Sequence, residues 1–519
     1  MQNTLLGYGL LPEICTDAAG GVYVAYETPI SPPRRIEIRR LDRFGIQAWA
    51  APRVVSGTAS QSINSRLSED GKGGAIVSFV DYEGPGDEHV RVQRVDSAGN
   101  FLWGATGIRA SVSEDPQADP EIVTDGRDGC IVAWFDISSS IRAQRIDSLG
   151  NRMWGDSGIH LYDGSSRPLI ESDGFGGFFV FRGTTLIQRY SHVGVGMWGA
   201  DGVQIANIGV QIFTSDNNGG VVIAGMKMID FNNGDPYWRA LGQRLDSTGQ
   251  VLWALDGTVV AESLQNTGPG SPPRIHITSN AQGETVFAFS DRVGMNTQSF
   301  VQRIASDGSP RFPGDGVRVS GLETTVNKPS DVTTSISASQ IVILEDSRNN
   351  GSIFAQRIDS SGSRFWGSND IAISLRNLSF LSSVTDGNGG VVVVGFDQSD
   401  FSLRAQQCNY LGELGEVEPV SVREQPPVFP LTPLLYQNYP NPFNGSTTIQ
   451  YSIPVGTYGH TSLRVYDLLG REVMTLVDGE MEAGAHSVQL DGRKMASGLY
   501  FYKLTAGKYT AVKKMVLTK

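Results

Sequence analysis

The sequence predicts an all-β fold: an eight-bladed β-propeller of four-stranded blades, followed by a small Ig-like β-sandwich. Three observations carry this reading. A phrase recurs eight times at a mean spacing near 52 residues, glycine turns alternate with β-branched runs, and the pattern changes abruptly after residue 415. The phrase is Gln-Arg-apolar-Asp-x-x-Gly-x-x-x-Trp-Gly. It is clearest at Gln93-Arg94 to Trp103-Gly104, Gln144-Arg145 to Trp154-Gly155, Gln243-Arg244 to Trp253, and Gln356-Arg357 to Trp366-Gly367. Degenerate copies lie at Arg40 to Trp49, Gln188 to Trp198, Gln302 to Phe312 and Gln406 to Gly412.

Within one repeat the elements follow in order. A short apolar segment (strand a, as in Glu121-Ile122-Val123) runs into an Asp-Gly-x-Gly-Gly turn. A Val/Ile run (strand b, as in Val391 to Val394) comes next. Strand c ends on Gln-Arg-apolar-Asp, and a glycine turn leads to strand d, placed at the tryptophan. Four strands in about 50 residues make one propeller blade. The c–d glycine is present in every copy (Gly45, Gly99, Gly150, Gly194, Gly249, Gly308, Gly362, Gly412), as a turn residue with positive φ requires. The tryptophan is expected to wedge between adjacent blades, and the Gln-Arg pair to hydrogen-bond across the same boundary.

In such a blade the a–b and c–d turns share one face, and the b–c and d–a connections share the other. The first pair is stereotyped and the second variable, so ligand recognition is expected on the variable face. Its variable segments include 82–89, 226–238 and 263–273. Phe231, Tyr237 and Trp238 are the aromatic candidates for ligand contact.

Composition removes several classes. Lysine plus arginine number 42 against 54 acidic residues, a net charge of −12, the wrong sign for a protein that grips phosphate backbones. The longest apolar run, Gly389 to Phe396, falls far short of the roughly 20 residues of a membrane helix. Cys15, Cys130 and Cys408 are too scattered for a disulfide framework or a CxxC metal motif. No HExxH, G-x-S-x-G, Walker or EF-hand pattern occurs. The Asp-Gly-x-Gly-Gly turns lack the alternating oxygen ligands of a calcium loop, and the repeat spacing does not match a sialidase Asp-box. No cofactor, metal site or catalytic residue is nominated, and no enzymatic activity is expected.

After residue 415 comes a segment, 416–433, with five prolines, expected to be an extended linker. Residues 434–519 then alternate like a compact antiparallel sandwich. Nine basic against six acidic side chains make them +3, so −15 of the total −12 falls on residues 1–433. This region carries Tyr439-Pro440-Asn441-Pro442-Phe443-Asn444, Asp467-Leu468-Leu469-Gly470-Arg471, Gly498-Leu499-Tyr500 and Lys513-Lys514. It resembles the type A C-terminal sorting domain of the type IX secretion system of Bacteroidota, departing from the family at Gly445, where proline is usual. The resemblance implies a secreted or outer-surface protein, with the secretion machinery and its sortase as partners. It also implies a signal peptide; none is legible, since the first basic residue is Arg34, so the sequence is expected to begin late. The expected role is a non-enzymatic module for an extracellular protein or glycan. The competing reading is a secreted glycosidase-like hydrolase, which would show two convergent carboxylates at the propeller channel.

Overall fold

The computed structural model describes residues 4–17, 19–28, 33–57, 61–84, 86–164, 167–183, 185–205, 208–232, 235–265, 272–280, 283–322, 326–335, 339–348 and 351–415 of the first part of the chain. Beyond these it describes 434–435, 438, 441, 443–453, 460–468, 470–480, 484–493, 495–506 and 509–518. The proline-rich segment 416–433 lies outside the described residues. The chain divides into two compact units, Met1–Val417 and Glu418–Lys519.

The first unit is propeller-like. It contains eight antiparallel four-stranded sheets and, among the described residues, no α-helix. Sheet three shows the pattern: strand a is Gln117–Thr124, b is Cys130–Asp136, c is Ser140–Ile146 and d is Ile159–Asp163. The inner strands of successive sheets touch in a closed cycle from the first sheet to the eighth and back. Closure is made by the chain's beginning. Thr4–Tyr8 is the outer strand of the eighth sheet, antiparallel to Ser402–Cys408.

The core explains this architecture. Strand b of each sheet carries a run of three or more consecutive apolar residues, so both sheet faces need cover. Each face packs on a neighbouring sheet. One buried cluster joins Ile76, Val80 and Val92 of sheet two to Ile122, Val132 and Trp134 of sheet three. The next joins Ile131 and Ala143 of sheet three to Ile170, Phe178 and Val180 of sheet four. The core of the unit is a series of such wedges between sheets, including one between the eighth sheet and the first.

The repeated phrase is the mortar of these wedges. Trp49, Trp103, Trp154, Trp198, Trp253 and Trp366 each donate Nε1–H to a backbone carbonyl in the c–d turn of the next sheet, at 3.1–3.2 Å. The ring lies over that turn's glycine: a Cβ on Gly150, which has φ +90°, would sit 3.1 Å from Trp103. All eight c–d glycines have φ between +79° and +90°.

The repeat arginine does more than the sequence suggested. In the first five sheets it pairs with the aspartate opening the a–b turn of its own sheet, as in Arg94–Asp70 and Arg145–Asp125. It also reaches a carbonyl of the next sheet, as Arg94 does to Ser148 at 3.2 Å. Degenerate copies keep the contact by compensation. In sheet six the aspartate is Asn280, and Glu284 supplies the carboxylate to Arg303. In sheet eight the arginine is Gln407, which donates to Asp386 at 3.0 Å.

Two local readings are corrected. Strand d does not lie at the tryptophan, which sits in a turn; the fourth strand of sheet two, Ile108–Arg109, begins five residues after Trp103. The repeat glutamine accounts for this. Gln144 Oε1 accepts the Trp154 N–H at 2.8 Å, and its Nε2 donates to the Gly155 carbonyl at 2.6 Å. Pairing with strand c continues as far as the Met153 N–H on the Arg145 carbonyl at 2.8 Å, and beyond it the glutamine replaces the ladder. The segment 226–238 is also not a loop. It is the extended end of a hairpin formed by Val221–Asn232 and Asp235–Leu245, with Met228 opposite Trp238.

The second unit has two antiparallel sheets. One holds Leu434–Leu435, Ser446–Ile453 and Gly484–Asp491; the other holds Glu472–Glu480, His460–Tyr466, Gly498–Ala506 and Tyr509–Leu517, in that spatial order. Ile449, Tyr451 and Leu490 from the first share one core with Leu463, Val465, Tyr502 and Met515 from the second.

Candidate functional site

The register of the inner strands is the same in all eight sheets, which places one residue of each at a single level around the cycle. That residue lies four positions before the residue opening the a–b turn. The charged occupants are Glu13, Arg66, Glu121, His276 and Asp331, paired with Ala25, Ser78, Ala133, Ala288 and Ile343 of their own b strands. Leu169, Ile212 and Ser382 complete the level. Arg66 bridges three sheets, with Nη1 3.2 Å from Glu13 Oε1 and Nε 3.0 Å from Glu121 Oε1. Arg167 adds a second cation to Glu121. Burial raises the Glu13 carboxyl, and Arg66 opposes the shift.

Across the cycle, Asp331 Oδ2 accepts the Ser383 hydroxyl at 2.6 Å and its N–H at 3.2 Å. Burial raises the Asp331 carboxyl against those bonds, and burial lowers the nearby His276, whose Nε2 has no hydrogen-bond partner. Glu171 projects from strand a of sheet four, two positions nearer the turn. Burial pushes its carboxyl up to about 7 against an opposing Ser215 N–H.

Glu171 sets a pH dependence. Its folded pKa lies above the unfolded value of 4.5, so between these pH values the folded chain binds more protons. The contribution of Glu171 to stability therefore falls as pH rises from about 4.5 to about 7 and levels off above, by at most on the order of 3 kcal/mol at 1.36 kcal/mol per unit. Glu171→Gln is expected to unfold at higher urea than the parent at pH 8 and at nearly the same urea at pH 4. Parallel pH profiles for the two proteins would contradict the assignment.

A cleft opens between sheets seven and eight, on the face of the b–c and d–a connections, with a volume of about 570 Å³. Its walls come from the starts of strands a (Lys328, Ser330, Ser379), from the b–c turn at Ser347 and from the d–a connector at Asn377; Arg274 approaches from sheet six. Lys328, Glu345 and Arg274 are exposed. Among the described residues neither Arg274 nor Lys328 has a carboxylate partner. Asp346, by contrast, is held by Arg348 at 2.9 Å.

The aromatic candidates sit elsewhere. Trp238 is half-buried and packs on the wedge between sheets five and six, so it contributes to the core. Tyr237 is half-buried on the same hairpin, opposite Asp230. Phe231 lies on the partner strand, and its side chain is outside the described residues. Neither Tyr237 nor Trp238 lines the cleft.

In the second unit the motif residues build turns and one strand edge. Asn441 Oδ1 accepts the Val516 N–H at 2.9 Å, and Phe443 is buried in a parallel bridge to Leu517. Asn444 is exposed and passes the chain to Gly445, whose φ of +82° is closed to the proline usual in the family. Asp467 Oδ1 accepts the Arg471 N–H at 3.0 Å while Oδ2 pairs with Arg471 Nε at 2.7 Å, around Gly470 at φ +76°. This is the Asp-x-x-Gly turn of the repeats, used again. Gly498 opens a strand on which Tyr500 is buried and donates to the Ala496 carbonyl at 2.9 Å. Lys513 and Lys514 are exposed on the edge strand. Tyr439, Pro440 and Pro442 lie outside the described residues.

The second unit defines the protein's class: a passenger carrying a secretion address at its C-terminal end. Residues 437–518 match the family described as the secretion system C-terminal sorting domain. The domain is that of the type IX system, and the protein is a secreted or outer-surface protein that engages this machinery. No curated protein matches the chain. Among solved structures it is similar to Sqt1 of Chaetomium thermophilum (13% identity, 78% of this chain and 98% of that one, TM-score 0.44). It is also similar to BamB of Moraxella catarrhalis (12%, 78% and 100%, 0.34). A third is a polysaccharide lyase of family PL25, an ulvan lyase (9%, 79% and 96%, 0.38).

The repeat phrase hid the polar ring. Its members occupy one fixed offset from the turn aspartate, so aligning the repeats on that turn is the signal that finds them. The cleft had no such signal, because three sheets contribute to it.

Proposed function

We propose that the first unit is an eight-bladed β-propeller that binds an extracellular glycan or protein without transforming it, and that an Ig-like sorting domain delivers it. The ligand seat is the cleft between sheets seven and eight. The observation that carries this reading is a cleft of ligand size on the variable face whose two exposed cations, Arg274 and Lys328, make no ion pair among the described residues, with Glu345 opposite Lys328 on the same wall. The hydrolase reading finds less support. A glycosidase needs one carboxyl free to protonate a leaving group and a second free to attack or to activate water. At the ring, Glu13 and Glu121 are both engaged by Arg66.

The test uses the full chain on a glycan array and a panel of surface-protein extracts, beside a hydrolase substrate panel. Binding without turnover is expected. Arg274→Glu with Lys328→Glu should weaken it at least tenfold, about 1.4 kcal/mol. Turnover of any glycan, or binding indifferent to the two charge reversals, would overturn the reading.

A further inference from the structure

A second cluster of chemistry-bearing side chains lies on the variable face, away from both the ring and the cleft. Asp87 and His89 are two residues apart at the start of strand c of sheet two, Asp87–Val95, and so share one face of it. Glu114 comes from the connector between strand d of sheet two, Ile108–Arg109, and strand a of sheet three, Gln117–Thr124. One ligand atom from each of the three lies within 4.8 Å of the others.

His89 is fully buried. Its Nε2 is 2.6 Å from Asp87 Oδ1, and its Nδ1 is buried without a hydrogen-bond partner. Two carboxylates converge on one buried imidazole, and their like charges leave a need for a cation between them. Arg109 does not meet it. That guanidinium sits 2.9 Å from Glu83 and only 3.7 Å from Glu114, whose side chain is 82% exposed and free to turn.

We propose that Asp87, His89 and Glu114 form a binding site for a divalent transition-metal ion of the zinc type, tying the b–c hairpin of sheet two to the connector entering sheet three. One imidazole and two carboxylates are a borderline donor set that suits zinc; calcium takes oxygen ligands only. The ion replaces the proton shared by Asp87 and His89. Bond lengths of about 2.0–2.2 Å in tetrahedral geometry require the two ligand atoms to move apart by less than about 1 Å. Three protein ligands leave a fourth position open to water or to a ligand group.

The experiment strips the full chain with a chelator and titrates zinc by calorimetry, following unfolding temperature in parallel. One zinc per chain is expected, with a rise in unfolding temperature that chelator reverses. Glu114→Gln, at an exposed position where folding is not at stake, should weaken binding at least tenfold, and His89→Gln should abolish it. His160→Gln is the control: His160 forms an exposed pair with Asp163 at 2.9 Å, and among the described residues no third ligand joins that pair. Zinc binding unchanged in Glu114→Gln, absence of a stoichiometric site, or tighter binding of calcium than of zinc would each overturn the proposal.

Discussion

Replacing Thr4–Tyr8 by a Gly-Ser segment of equal length is expected to destabilise the first unit more than any single substitution in it. These residues are the outer strand of the eighth sheet, with Thr4 opposite Ala405 and Tyr8 opposite Ser402. Leu6 is buried in the wedge where the eighth sheet meets the first. Losing it alone costs about 2–5 kcal/mol, as for a buried leucine cut to alanine. The replacement also bares the edge of Ser402–Cys408, a template for pairing with another chain. The expected result is a large fall in the urea midpoint together with concentration-dependent association, whereas Leu6→Ala should lower the midpoint without association. A replaced chain that unfolds at the parent midpoint and stays monomeric would show that the cycle does not depend on this closure.

The second large effect lies at Arg145. Asp125 is fully buried. Its Oδ1 accepts the N–H groups of Arg127 and Gly129 at 2.8 Å, and its Oδ2 faces Arg145 Nε at 2.8 Å. Arg145→Met leaves that carboxylate buried and uncompensated, at a cost of about 3–5 kcal/mol. Arg145→Gln should cost clearly less, because the protein already uses this pair in the eighth sheet, where Gln407 donates to Asp386. The order parent, Gln, Met in urea midpoint is the expected outcome. Equal losses for Gln and Met would mean that packing of the long side chain, rather than satisfaction of Asp125, sets the energy.

The same residues show how far the sequence could be read. The glycine at every c–d turn and the tryptophan between sheets were legible because each repeats: the glycine in all eight copies, the tryptophan in six. The partner of the repeat arginine was not. Asp125 and Arg145 are 20 residues apart, and only the pairing of strands b and c brings the end of one to the start of the other. Substitutions such as Glu284 for the carboxylate of sheet six become intelligible only once that pairing is known.

For 226–238, composition misled. Asn-Asn-Gly-Asp-Pro reads as a loop, yet the flanking residues extend the hairpin, and Trp238 finds cover against the next sheet. Propensity is local, whereas burial against a neighbouring sheet is not.

The sequence alone determined the all-β class, the turn chemistry and the secretion address, because each is written in contiguous residues with fixed offsets. The tertiary structure decided what depends on distance between repeats. It made the chain's first strand complete its last propeller sheet, set Glu13, Arg66, Glu121, His276 and Asp331 at one level, and joined three sheets around the cleft. Stacking sheets in a closed cycle creates these neighbours, and no spacing along the chain encodes them.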